Sequence, residues 1–321
     1  MRKILVVILL LLAACTQPAA DNWQRGPFVK HPANPILLPQ GDTWEAKDLF
    51  NPTAWTDGDT IYLFYRAEDT TGIGVWNGTS RIGLARSTDG VTFTRDPEPM
   101  LSPTEPWELP GGTEDPRITK VDDTYYLTYT AYDGKQARLG LATSKDFSNW
   151  EKHGPIFPDI EWTKSGAILD VPVNGKYWMY FGDTHVWAAH SEDLISWTWI
   201  EEPVLPQRPG QFDSRVVEPG PEPRMTKDGI LLLYNGADDD LVYRSGQALF
   251  DANDPTRLLK RSDTPFLVPD AKLEQEGQIA NVVFIEGLVE YKDTWFLYFG
   301  MGDSGIGVAT CEGACFMSPP E

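Results

Sequence analysis

The chain has 321 residues, 41% hydrophobic and 12% aromatic, enough material for a packed core and far from the composition of a disordered protein. A net charge of −20 repels phosphate backbones, so nucleic acid is not an expected partner. With 26 Pro and 28 Gly, the sequence is punctuated too often for long helices, and an all-β domain is the leading class.

In chain order, Arg2 and Lys3 precede an apolar run from Ile4 to Leu12, the short hydrophobic region of a secretory signal rather than a membrane span. The run ends in Leu12-Ala13-Ala14-Cys15, which resembles the lipobox of bacterial lipoproteins. Residues 1–14 therefore read as a lipoprotein signal peptide and Cys15 as the lipidation site. Residues 15–24 read as a tether and 25–321 as the folded domain. The expected location is the bacterial cell envelope, with the membrane a partner through the lipid.

Beyond the tether the sequence repeats. Aromatic-rich strands begin at Ile61, Tyr125, Tyr177, Ile230 and Trp295, each after a turn signal such as Asp57-Gly58-Asp59, Asp122-Asp123 or Asn174-Gly175. Small and aliphatic third strands follow at Ile82 to Ser87, Leu139 to Ser144, Val186 to Ser191 and Ile306 to Thr310, and Trp150 and Trp197 stand where a fourth strand would begin. Hairpin repeats about 50 to 65 residues apart point to a five-bladed β-propeller rather than a sandwich. Near the C-terminus, Cys311 and Cys315 are too few for a metal site and read as a small disulfide. No metal or cofactor is expected.

The first strand of each propeller blade lines the axis, so a polar residue there faces a shared funnel. About 10 to 13 residues before the hairpin starts stand Asp48 and Asn51, Asp115, Lys164 and Glu218, and blade five offers Glu276, Gln278 and Asn281 further back. Structural readings exist for each: Asp48 as a turn cap, Glu114 or Asp115 as the partner of Arg117, Lys164 as a surface lysine, Arg66 and Arg81 as ordinary ion-pair donors. Glu218 lies in Val216-Val217-Glu218-Pro219-Gly220-Pro221, where an unpaired carboxylate is costly. Trp44, Trp76, Trp107 and Trp162 are packing residues or sugar-stacking faces. The chain lacks His-Glu-x-x-His, Gly-x-Ser-x-Gly and a phosphate-binding Gly loop. Two carboxyls in a polar, aromatic-rimmed funnel suit glycoside hydrolysis, one acid protonating the leaving oxygen and another activating water.

From Asn51 to about Val308 the motifs resemble glycoside hydrolase family 130, the β-mannoside phosphorylases and β-mannosidases. They include Phe50-Asn51-Pro52, Tyr65-Arg66-Ala67, Glu114-Asp115-Pro116-Arg117, Lys164-Ser165-Gly166, Phe212-Asp213-Ser214, Glu218-Pro219-Gly220-Pro221, Gly277-Gln278 and Gly302-Asp303-Ser304. The resemblance implies a five-bladed propeller and an inverting reaction on β-1,2- or β-1,4-linked manno-oligosaccharides. It implies Asp115 as the acid, with a sugar hydroxyl as proton relay in the phosphorylases. It also implies Asn51, Arg66, Arg81, Lys164 and Asp303 as holders of the sugar beside the scissile bond; Asp48, Asp213 and Glu276 complete the expected substrate-binding set. Phosphorylases resemble one another in a Tyr-His-Gly where this chain has Tyr234-Asn235-Gly236, and tend to have a neutral or basic residue where Glu218 stands. A carboxylate there repels phosphate and can deprotonate water, so a hydrolase with Glu218 as base is expected. The alternatives are an inverting mannoside phosphorylase, an arabinan- or xylan-cleaving propeller glycosidase using Asp48, Asp115 and Glu218, and a sugar-binding lipoprotein without turnover.

Overall fold

The computed structural model describes residues 23–71, 78–313 and 315. The signal segment, Cys15, most of the tether and Trp76 lie outside the described residues. Trp23, expected in the tether, packs against a core cluster, and Arg25 is buried.

Apart from one short helix, the regular structure is β. Strand β1 is Val29–Lys30. A first meander runs β2 (Asp48–Asp57), β3 (Thr60–Glu68), β4 (Ser80–Ser87) and β5 (Thr94–Arg95), and a second runs β6 (Gly112–Val121), β7 (Thr124–Tyr132), β8 (Ala137–Ser144) and β9 (Glu151–Pro155). A third comprises β10 (Ala167–Ile168), β11 (Tyr177–Phe181), β12 (Trp187–Ser191) and β13 (Thr198–Trp199). In the fourth, β14 (Val216–Pro219) and β15 (Arg224–Thr226) both pair with β16 (Gly229–Ala237), which continues through β17 (Tyr243–Asp251) to β18 (Asp254–Arg261). Helix α1 (Lys272–Glu276) precedes the fifth set, β19 (Val283–Tyr291), β20 (Thr294–Met301) and β21 (Gly305–Glu312). The pairing is antiparallel within every set, and β1 adds to β21, so the N-terminal strand completes the C-terminal sheet.

The first two meanders form one sheet through a single parallel bridge between Ser80 and Gly112. Gly112 permits it: its φ is +126°, and a Cβ there would lie 2.2 Å from the Ser80 carbonyl oxygen.

The aromatic hairpin strands are nearly continuous apolar runs because both faces are covered. One cluster joins Phe64, Ile82 and Leu84 to Ile118, Leu127 and Tyr129; the next joins Leu139 to Ile168, Met179 and Phe181. A third joins Tyr180 and Ala188 to Val217, Leu232 and Tyr234, and a fourth joins Leu231 and Leu233 to Ile285, Leu297 and Phe299. The last packs Val289, Tyr298 and Val308 back against Leu49, Leu63 and Tyr65. Each meander thus buries a face against the next, and the fifth returns to the first.

The fifth set departs from expectation. Glu276 lies on α1, largely exposed, with Lys272 3.7 Å away, and not on an inner strand. The inner strand is β19, where a register shift between Ile285 and Gly287 leaves Glu286 as its buried charge. Glu286 stands 9 residues before Trp295, close to the 10 that separate Asn51 from Ile61 and Asp115 from Tyr125, whereas Glu276 stands 19 before it, beyond the start of the inner strand. Beside the end of β21, Cys311 and Cys315 form a disulfide.

Candidate active site

The inner strands β2 and β6 carry the same local device. A register shift falls between Phe50 and Pro52 and between Glu114 and Arg117, and the residue at each shift, Asn51 or Asp115, has φ of 48° or 46°. Ser165 (φ 59°) and Asp303 (φ 52°) share this left-handed backbone. Such conformations cost energy in non-glycine residues and persist where the surrounding structure over-determines them. Gly300 contributes to that fit: a Cβ there would come within 2.8 Å of Asn51 Oδ1.

These turns face a cavity of about 340 Å³. Its charged and amide groups are Asn51, Arg66, Glu114, Asp115, Lys164, Glu218 and Asp303; its aromatic and apolar wall includes Phe50, Tyr132, Trp162, Leu241, Tyr243, Ile279 and Phe284. Asn51 Nδ2 donates to Asp115 Oδ1 at 2.8 Å, and Arg66 Nη1 donates to the same oxygen at 3.2 Å. Arg66 Nη2 donates to Glu114 Oε1 at 3.0 Å and Nε to Ser80 Oγ at 3.0 Å, while its guanidinium lies 4.5 Å from the centre of the Phe50 ring. Lys164 Nζ stands between the two expected catalytic carboxyls, 3.9 Å from Asp115 Oδ2 and 3.3 Å from Glu218 Oε1. Ser165 Oγ donates to Glu218 Oε1.

Burial acts on each acid, and the neighbours decide the outcome. Burial alone would raise Asp115, yet Arg66, Lys164 and the Asn51 hydrogen bond hold it below the usual carboxylate range. Glu114, raised by burial and by Asp115 and opposed by Arg66, is pushed up to about 7. Glu218 is raised by burial against the pull of Lys164. Lys164 is itself raised: burial disfavours its charge, but Glu218 and Asp115 outweigh that. Near neutral pH the cavity therefore holds an ionised Asp115, a protonatable Glu114 beside it and a charged lysine linking Asp115 to Glu218.

The structure brings Asn51, Arg66, Asp115, Lys164, Glu218 and Asp303 together. Four other expected contacts lie elsewhere. Asp213 is wholly buried and accepts hydrogen bonds from Arg208, Arg261 and the Tyr234 hydroxyl, a closed cluster that leaves it no role in the cavity wall. Arg81 pairs with Asp69 at 2.7 Å and does not line the cavity, which matches its ion-pair reading. Glu276 sits on α1. Asp48 lies at the start of β2 outside the lining, with its pKa pushed up to about 6, chiefly by burial, against a hydrogen bond from Ser304.

Of the tryptophans, Trp162 lines the cavity, while Trp44 stacks on Tyr65 and Trp107 packs beside the second meander. Glu114, Ser165, Tyr132 and Tyr243 were not assigned from the sequence. Glu114 and Ser165 adjoin assigned residues, a signal available in the motifs themselves; the tyrosines come from β7 and β17, and only the fold brings them in.

The chain is similar to known proteins of one family. A family model described as beta-1,4-mannooligosaccharide phosphorylase, that of glycoside hydrolase family 130, matches residues 29–317. A 1,2-beta-oligomannan phosphorylase of Thermoanaerobacter sp. (strain X514) is 38% identical over 87% of this chain and 95% of its own length. A glycosyl hydrolase structure from Bacteroides ovatus is 40% identical with a TM-score of 0.87, covering 93% of this chain and 96% of that one. A third relative, 39% identical with a TM-score of 0.88, covers 94% of this chain and 97% of that one. It is reported with the statement that the GH130 family of mannoside phosphorylases contains glycoside hydrolases that target β-1,2 mannosidic linkages in Candida mannan.

Proposed function

The chain belongs to glycoside hydrolase family 130, and from that premise we propose that it cleaves β-1,2-linked mannosides by inverting hydrolysis. The observation that carries the hydrolytic reading is Glu218, a buried carboxylate in the cavity wall, linked through Lys164 to Asp115. Among the described lining residues the cations are Arg66 and Lys164, against the carboxyls of Glu114, Asp115, Glu218 and Asp303. Both cations are engaged by those acids, so an entering phosphate dianion meets more negative than positive charge. Asn235, where phosphorylases carry a His, is fully buried and spends its amide on the backbone of Ile285, at 3.0 Å as donor and 2.8 Å as acceptor.

In this reading the sugar's glycosidic oxygen lies toward Asp115 and its opposite face toward Glu218. Glu218 takes a proton from water as the water oxygen bonds to the anomeric carbon. The bond to the leaving oxygen breaks, and that oxygen takes the proton held by the Glu114–Asp115 pair: Asp115, ionised at rest, receives it from Glu114 and passes it on directly or by way of a sugar hydroxyl. Asn51 and Arg66 orient Asp115, and Lys164 keeps both carboxyls on the cavity. The five meanders, each packed on the next, are read as the blades of a five-bladed propeller around this cavity. Lipid attachment at Cys15, and with it a place in the cell envelope, belongs to the same proposal and rests on the sequence of the leader.

Phosphorolysis is the second reading, and the comparisons favour it over hydrolysis: both the family description and the Thermoanaerobacter relative name a phosphorylase. Incubation with β-1,2-mannobiose, with and without inorganic phosphate, decides between them. Hydrolysis predicts free mannose at a rate that phosphate does not raise; mannose 1-phosphate as product assigns the chain to the second reading.

A further inference from the structure

Behind Asp115 and Glu218 lies a buried charge that the proposed chemistry does not use. Arg117, two residues after Asp115 on β6, is only 2% exposed. Its Nε donates to the Gly220 carbonyl at 2.8 Å and its Nη2 to the Pro219 carbonyl at 2.6 Å, the two residues that follow Glu218; Nη1 reaches the Asp115 carbonyl at 3.4 Å. Nη2 also lies 2.9 Å from Oε1 of Glu286, which is wholly buried and accepts no hydrogen bond from any other described residue. Glu286 owes its inward position to the bulge in β19, and the two Asn235 bonds to Ile285 fix that bulge from the neighbouring meander.

One guanidinium thus touches the backbone on both sides of the cavity and a carboxylate from a third inner strand. A planar fork can hold two carbonyls and a carboxylate at once, which an ammonium cannot. As a device for stability alone the pair is a poor choice, since apolar residues of similar volume often replace buried ion pairs without loss. We propose that Arg117 is a positioning residue that fixes Glu218 relative to Asp115, with Glu286 as the anion that holds it there. The inference deepens the catalytic reading above and rests on it.

The test uses Arg117→Lys, which keeps the charge and loses the fork, and Glu286→Gln, which keeps the shape and loses the anion and serves if the first variant does not fold. With β-1,2-mannobiose, kcat should fall about 10- to 100-fold in Arg117→Lys, as small misplacements of reacting groups do, and less in Glu286→Gln. KM should stay within about threefold and melting temperature within a few degrees in both. Crystal structures should show the Glu218 carboxylate displaced from its place opposite Asp115 or divided between conformers. A wild-type protein inactive on mannobiose sinks the catalytic reading, and the Glu218 position in the variants still decides this one. Folded variants with an unmoved Glu218, or with losses of kcat that merely track losses of melting temperature, overturn it.

Discussion

Asp115 and Glu218 are both buried acids, yet they shift in opposite directions, because the neighbouring cations outweigh burial at Asp115 and not at Glu218, and that difference has measurable consequences. A base must be ionised to work, and burial raises Glu218, so activity should fall on acidification at a pH above the ordinary glutamate value of 4.5. Glu218→Gln should lose about 10²- to 10⁴-fold in kcat, the usual worth of a general base, with an α-anomeric first product in the wild type seen by NMR before mutarotation. Asp115→Asn removes the group adjoining the leaving oxygen. It should slow mannosides with poor leaving groups more than aryl mannosides, and a uniform loss would favour the hydroxyl relay. At this scale the sequence was legible wherever a residue type had no other use: Lys164, in the segment before β10, and Glu218, in the proline-rich strand β14, have no partner close in sequence and face the cavity. Asp213 and Arg81 stand outside the cavity lining with their partners Arg261 and Asp69, joined to them by pairings that residue type does not reveal.

Among the elements, the aromatic hairpins were the readable part. Alternation, a turn signal and a second strand of small residues are contained in some 25 consecutive positions, and they predicted β3 with β4, β7 with β8 and β20 with β21. Strand β1 was not readable: two residues without a hairpin carry no pattern, and they become a strand only because β21 offers an open edge 280 residues later in the chain. The segment around β1 is nevertheless firmly held. Phe28 is buried in the fifth set's core, and Arg25 pairs with Asp228 at 2.9 Å while exchanging hydrogen bonds with Gln247. Phe28→Ala should therefore cost about 3 kcal/mol and lower the melting temperature by at least about 5 °C, measured by calorimetry, although the site lies in other elements. A variant that melts with the wild type would show that the N-terminal segment is ornamental to the closed arrangement.

For the molecule as a whole, the proposed leader bears on where it acts. If Cys15 carries lipid, Cys15→Ala should move the protein from the membrane fraction to the soluble fraction while mannoside cleavage per molecule stays unchanged, because the residues that line the cavity run from Phe50 to Asp303 and do not include Cys15. Equal membrane association of the two forms would remove the anchor from the proposal.

Composition, strand periodicity and the repeat determined, without any structure, that the chain is all-β and built from recurring hairpins, because those signals are local and each copy reinforces the others. The motifs further determined the family. Only the tertiary structure decided which charges meet. Bulges at Asn51, Asp115 and Glu286 turn those side chains inward, and Lys164 from before the third meander reaches both Asp115 and Glu218. An inserted residue changes which face a side chain takes while leaving the composition of its strand unchanged, so the register of β2, β6 and β19 had to be seen in three dimensions.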